Sequence, residues 1–249
     1  MSNIASRILH CDSACVVVNK IPGEAAEGAG RGMVNLPQLL TAELPSMPTA
    51  TDGLALPTAV HRLDVPVSGC VVFARTGAAL RFLNTAFSGG ATKSGGVKKH
   101  YWAIIESPEN NALFAQDAEV VEFTHWIQFN PRKNKSTAYD EAGPGRKKAV
   151  LRCRPAGRGD HYLFLEIELI TGRHHQIRAQ FERLGLHIKG DLKYGARRSE
   201  RGGGIRLHAR SLSFPDPSNE GNTITVHADP PLRDNLWQAF EDSLPIPPP

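Results

Sequence analysis

The segment Val60-His61-Arg62-Leu63-Asp64-Val65-Pro66-Val67-Ser68-Gly69 sets a carboxylate two residues after a guanidinium, directly before an apolar run. A carboxylate held at the mouth of a core strand can act as nucleophile or proton acceptor, provided it is ionised. The same spacing describes a structural Arg62–Asp64 ion pair, and spacing alone leaves both readings open. His10, Cys11 and Cys15 fall within zinc-ligand spacing, yet no second close Cys or His pair completes a site and Cys70 lies in an apolar run. They are read as ordinary reduced cysteines. Glu166 and Glu168 share one face of an alternating segment, read as the solvated edge of an amphipathic strand rather than a catalytic carboxylate pair. The chain has no G-x-x-x-x-G-K followed by Ser or Thr, no G-x-S-x-G and no H-E-x-x-H, and the glycines at 28, 30 and 32 lack the context of a dinucleotide site.

The framework that must position these residues reads as mixed α and β. Val16-Val17-Val18, stopped by Asn19-Lys20-Ile21-Pro22-Gly23, predicts a strand. Residues 24–34 read as a loop. Asn35 reads as a helix cap, with Pro37 in the first turn and Leu36, Leu39, Leu40 and Leu44 at helical spacing. Pro45, Pro48 and Gly53 mark a connection. Residues 70–74 predict a buried strand, and Leu80, Leu83 and Phe87 a helix ended by Ser88-Gly89-Gly90. The stretch 88–98 reads as a flexible basic loop and residues 101–105 as another strand. Leu163, Leu165, Ile167 and Leu169 alternate with Phe164, Glu166 and Glu168, which predicts a half-buried strand. Ile177, Phe181 and Leu184 predict a helix ending at Gly185. No internal repeat or interdomain linker is visible, and the proline-rich end reads as frayed.

Composition bounds the function class. The chain has 249 residues, 41% hydrophobic and 22% charged, as a globular protein does. No stretch approaches eighteen consecutive apolar residues, no secretory leader is visible, and four cysteines do not make a disulfide scaffold. A soluble, cytoplasmic protein without membrane contact is expected. Residues 1–92 carry six basic and six acidic side chains, residues 93–210 carry 22 and 13, and residues 211–249 carry one and six. The basic middle nominates a polyanion, nucleic acid first, although chance clustering on a solvated surface gives the same arithmetic.

Several motifs in a fixed order resemble the RluA-type pseudouridine synthases. His61-Arg62-Leu63-Asp64 followed by Ser68-Gly69 and an apolar strand resembles the family's H-R-L-D segment, which maps its catalytic aspartate to Asp64. Lys99-His100-Tyr101 resembles its K-x-Y strand, and Thr171-Gly172-Arg173-His174-His175-Gln176-Ile177-Arg178 its T-G-R-x-H-Q-I-R. Gly190-Asp191-Leu192-Lys193-Tyr194-Gly195 resembles a G-D-x-x-Y-G turn. Leu207-His208-Ala209 with Leu212-Ser213-Phe214, and Asn19-Lys20 with Pro22-Gly23, complete the series over residues 8–240. Departures are Val65-Pro66-Val67 where many members carry Lys-x-Thr, and His174 where threonine is commoner.

The resemblance implies an α+β pseudouridine synthase fold: a central, mostly antiparallel sheet with flanking helices and a catalytic cleft. It implies one catalytic domain over residues 1–244, without an N-terminal S4-like module, and a tail at 245–249. The reaction breaks the N1–C1′ bond of a uridine, turns the base and joins C5 to C1′, so neither cofactor nor metal is expected. Asp64 is the implied nucleophile or base, Arg178 keeps it ionised and Tyr101 packs on the flipped uracil. Arg62, Arg173, Ile177, Lys189 and Lys193 are the expected substrate and RNA contacts. The expected partner is ribosomal or transfer RNA, handled by a monomer. Two other readings stay in view. One is a non-catalytic RNA-binding or RNA-folding protein on the same scaffold; the other is a carboxylate-dependent hydrolase of small nucleosides.

Overall fold

A computed structural model describes residues 3–28, 34–44, 54–90, 95–106, 120–200 and 202–244. The expectations for residues 29–33, 45–53, 91–94 and 245–249 lie outside the described residues. In chain order the strands are β1 (Ile8–Cys11), β2 (Cys15–Lys20), β3 (Glu24–Ala25), β4 (Val34–Asn35), β5 (Thr58–Ala59), β6 (Ser68–Ala74), β7 (Lys98–Glu106), β8 (Val121–Asn130), β9 (Lys135–Tyr139), β10 (Lys147–Arg158), β11 (Tyr162–Leu169), β12 (His187–Ile188), β13 (Leu207–Pro215) and β14 (Thr223–His227). The helices are α1 (Leu36–Glu43), α2 (Gly77–Phe87), α3 (Gln176–Arg183) and α4 (Asn235–Asp242). The chain divides into two compact units: Met1–Lys99 with Ala209–Pro231, and His100–His208 with Leu232–Pro249. Each holds antiparallel sheet packed by helices, the α+β class expected.

In the first unit β1 pairs with β2 and β2 with β6, all antiparallel, and β13 follows β6 and carries β14 as a hairpin. Every residue of β6 is buried, which is why it reads as a continuous apolar run rather than an alternation. Cys15, Val17, Cys70 and Val72 pack against Ala79 and Leu83 of α2 and against Leu212 and Phe214. Thr76 caps α2 by accepting from the Ala79 amide at 3.1 Å, and Gly89, at φ +89°, follows its end. The buried face of α2 is Ala79, Leu83 and Ala86, with Leu80 and Phe87 half-buried. In α1 the buried pair is Leu36 and Leu40, four apart, while Leu39 and Leu44 are half-buried. Asn35 precedes that helix in an extended conformation but its side chain makes no capping bond, so the expected cap is absent.

In the second unit the strand order is β7-β11-β10-β8-β9, antiparallel throughout, with β12 on β7. Lys98, expected in a loop, begins β7. Trp102, Ile104 and Phe164 pack with Trp237 and Phe240 of α4; Ile127, Ala138 and Ala149 pack with Ala179 of α3 and Tyr194. Strand β11 departs from strict alternation at Phe164, because α4 covers that side and Phe240 meets its ring at 5.4 Å. Glu166 and Glu168 lie on an interior strand, not a sheet edge. They stand opposite Arg154 and Arg152 of β10 and pair with them, so each charge has a cross-strand partner. Among the described residues no helix is long and apolar enough to cross a membrane.

Candidate active site

Asp64 sits on the loop between β5 and β6, and every turn of that loop is tied to the first unit. His61 leaves the ladder just after β5, and its Nε2 accepts the Val72 amide at 3.3 Å in place of a strand partner. A ring nitrogen that accepts must be unprotonated, and burial, with Lys99 nearby, lowers the His61 pKa to about 3. Its ring stacks on Phe87 at 4.9 Å. Asp64 then opens a tight turn in which its carbonyl accepts from the Val67 amide at 2.9 Å. The Val65 carbonyl accepts from Gly23 at 2.9 Å and from Lys20 Nζ at 3.0 Å, and the Val67 carbonyl accepts from Lys20 Nζ at 2.6 Å.

Lys20 is therefore a clamp, not a surface charge. It is fully buried and donates also to the Ile21 carbonyl at 3.2 Å. Burial lowers its pKa to about 8, against the carboxylates of Glu24 and Asp64, which favour the charged form. Glu24 is itself fixed. It accepts from Arg7 at 2.8 Å on each oxygen and from the Ile21 amide at 3.0 Å. The Asn19–Gly23 motif thus holds the loop that presents Asp64. The motif alone does not reveal this role for Lys20, because a lysine at a strand end carries no mark of burial.

Arg178 belongs to the second unit and is built with equal care. Gln176 locks the turn before α3: its Oε1 accepts from the Arg173 amide at 2.9 Å and the Thr171 hydroxyl at 2.8 Å, and its Nε2 donates to the Val150 carbonyl at 3.1 Å. His175 precedes α3 at φ +52°, a left-handed conformation, with its Nδ1 2.8 Å from the Tyr194 hydroxyl. Arg178 donates from Nε and Nη2 to the two oxygens of Asp191, each at 2.7 Å, and lies over the Tyr194 ring at 4.7 Å. Arg178 is 4% exposed and Asp191 1%. Asp191 and Tyr194 were visible as a motif but not as the support of Arg178. Tyr101 is buried on β7, opposite Ile167.

A family model described as RNA pseudouridylate synthase matches residues 15–183. The chain belongs to the RNA pseudouridylate synthase family. Its reaction class is the isomerisation of uridine to pseudouridine in RNA. An uncharacterized RNA pseudouridine synthase of Zymomonas mobilis is 30% identical over 216 residues, covering 86% of this chain and 90% of that protein. Ribosomal large subunit pseudouridine synthase C of Vibrio parahaemolyticus is 26% identical over 226 residues, 88% of this chain and 64% of that protein. Among solved structures, human RNA pseudouridylate synthase domain containing 4 matches with a TM-score of 0.67 at 20% identity, covering 97% and 94% of the two chains, a likeness of fold.

The remaining residues expected to meet RNA in this pseudouridine synthase are placed unequally. Arg62 is exposed and forms an ion pair with Glu27 at 3.8 Å. Ile177 is buried beside Arg178 on α3. Arg173 is exposed and donates to the Lys148 carbonyl at 3.0 Å; Lys193 is exposed and donates to the Asn134 carbonyl at 3.1 Å. Lys189 is half-buried and bonded to Glu200, which also binds Arg206, so its charge is compensated inside the protein. His10, Asp12 and Cys15 have donor atoms within 4.8 Å of one another. Asp12 is occupied there by the amides of Ala14 and Cys15, 2.7 Å each, and by His10, while burial pushes the Cys15 thiol far up and keeps it protonated.

Proposed function

We propose that this pseudouridine synthase acts on uridines in structured ribosomal or transfer RNA, with Asp64 as its catalytic carboxylate and without cofactor or metal. What carries the reading is the Asp64 loop, pinned through the backbone by Lys20 and Gly23, in a chain whose family and motif order match. Positioning of that kind suits a group that must meet one glycosidic carbon rather than a general surface charge.

The chemistry asks little else of the chain. Breaking N1–C1′ and forming C5–C1′ conserves every heavy atom, with the C5 hydrogen exchanged for one at N1, so no redox or group-carrying partner enters. Asp64 must be ionised to attack or to accept a proton, and the Arg178 charge is assigned to keep it so. Tyr101 is assigned to the face of the turned base. The target uridine has to leave its stack, at about a few kcal/mol. Arg62, exposed and paired with Glu27 at 3.8 Å, is assigned to the space it vacates. Arg173 and Lys193 are assigned to phosphates.

The test is RNA carrying tritium at uridine C5, taken from cells that lack the gene. C5–C1′ bond formation expels that hydrogen to water whichever uridine is used. Wild type is expected to release tritium, and Asp64→Ala and Asp64→Asn to release none while keeping their fold and most of their RNA affinity. Normal release by a folded Asp64→Ala protein overturns the assignment. Binding without release by wild type points to the non-catalytic reading.

A further inference from the structure

Beside the start of α3, four rings stand in a row on the second unit. Phe129, near the end of β8, meets His174 at 4.1 Å between centroids; His174 stacks on His175 at 3.8 Å; His175 meets Tyr194 edge-on at 5.6 Å. The row is anchored from behind, because the Ser136 hydroxyl bonds His174 Nδ1 at 2.9 Å and the Tyr194 hydroxyl bonds His175 Nδ1. Its outer member is open: Phe129 is 43% exposed. A phenyl ring in water needs a reason only when its surroundings supply one, and here they do.

Several cations of this unit are spent internally. Lys135, Arg152, Arg154, Arg183, Lys189 and Arg206 each meet a carboxylate. The cations around the ring row do not. Arg132 and Lys133 fill the exposed turn two residues beyond Phe129, Lys193 reaches that turn through the Asn134 carbonyl, and Arg173 adjoins His174; among the described residues none of the four has a carboxylate partner. An anchored aromatic face rimmed by uncompensated positive charge matches an unpaired base between phosphates.

We propose that Phe129, backed by His174, is a stacking platform for an unpaired base of the substrate RNA, with Arg132, Lys133, Arg173 and Lys193 on its phosphates. The proposal rests on the reading of the chain as an enzyme of structured RNA and names a contact outside the residues assigned to catalysis. Stacking tolerates any base, so the platform grips looped RNA without choosing its sequence.

The experiment measures anisotropy of a fluorescein-labelled stem–loop RNA with a seven-nucleotide uridine-containing loop, and of a loopless duplex of equal length. Phe129→Ala and Phe129→Leu are expected to weaken stem–loop binding about five-fold or more, since one stacked base contributes roughly 1–3 kcal/mol. Phe129→Trp keeps wild-type affinity, and duplex binding is unchanged in all three. Leucine retains apolar cover over His174 but offers no π face, so wild-type binding by Phe129→Leu or by Phe129→Ala overturns the proposal. Absence of wild-type binding to the stem–loop overturns it too. Tritium release read in parallel separates the two ideas. A Phe129 effect on binding without any wild-type release sinks the enzymatic reading alone. Release with KM unmoved in Phe129→Ala sinks the platform alone.

Discussion

Arg178 and Asp191 face each other through two parallel 2.7 Å hydrogen bonds, at 4% and 1% exposure. Two charges withdrawn from water in this way are tolerable only together. The pair fixes the guanidinium plane through two of its three nitrogens, and Tyr194 covers one face. Removing Asp191 takes from the buried Arg178 guanidinium the carboxylate that accepts two of its bonds, and breaking such a buried pair costs about 3–5 kcal/mol. Asp191→Ala is accordingly expected to show a much lower urea midpoint than wild type. The double variant Arg178→Met with Asp191→Leu is expected to recover most of that loss, since no charge is stranded, yet to release no tritium. An Asp191→Ala midpoint close to wild type would mean that the pair is solvated.

Lys20 gives the fold a measurable alkaline dependence. Its pKa is lowered from 10.5 to about 8 by burial. Between those values the unfolded chain holds a proton that the folded chain has released, so the contribution of this group to stability rises with pH across the window. Below about 8 the ammonium is charged in both states and the whole cost of burying it is present. Lys20→Met does not titrate. Urea midpoints of wild type and Lys20→Met, compared at pH 7.5 and 9.5, are expected to shift relative to one another in favour of wild type at the higher pH. Midpoints that stay in constant offset would place the Lys20 amine in solvent.

What the sequence revealed and what it concealed divide along one line. Asp64, Arg178 and Tyr101 are nominated by short local motifs whose residue types are unusual together, and their catalytic roles stand as proposals. Lys20 is not so nominated, because its work is done on carbonyls 45 and 47 residues away, and no periodicity marks it. Asp191 reaches Arg178 across 13 residues, and only the fold makes that reach short. The strands β6 and β11 were visible through dense apolar runs. Strand β10 is poorly marked in the sequence: Ala149, Leu151 and Cys153 alternate as a buried face, but two of the three are small and Lys147, Lys148, Arg152 and Arg154 dominate the composition. Helix α4 hid for a similar reason. It buries only Trp237 and Phe240, three apart in an acidic stretch where the capping Asp234 is one carboxylate among several.

Acid should loosen the second unit through Arg206. Glu200 and Asp234 both bond that guanidinium, and Lys189 also bonds Glu200. Burial alone would raise both carboxyls, but the bonds from Arg206, and from Lys189 to Glu200, outweigh it and hold both below their ordinary values of 4.5 and 3.8. A carboxyl lowered in the folded state stabilises above its unfolded value and loses that contribution as pH falls through its folded one. The stability gap between wild type and Glu200→Gln is therefore expected to be full at pH 6 and to shrink from about pH 4.5 downward. Urea midpoints at pH 6, 4.5 and 3 measure it. A gap constant over that range would show that Glu200 gains nothing from being ionised.

Gly69 limits what can follow the Asp64 loop. It has φ +117°, and a Cβ built there would lie 2.3 Å from the Ala209 carbonyl oxygen and 2.6 Å from the Ala209 nitrogen. Those are backbone atoms within a sheet, and they have no rotamer to move aside. Gly185, at φ +70°, has nothing within 4 Å of the same construction, so it isolates the conformational cost alone, about 1–2 kcal/mol for a left-handed non-glycine residue. Gly185→Ala is expected to be soluble and modestly destabilised. Gly69→Ala adds a backbone collision to the same strain in a strand buried at every position, and is expected to be insoluble or to unfold at far lower urea. If the two variants unfolded together, β6 would have room beside Ala209, and the strand that follows Asp64 would not be fixed by that contact.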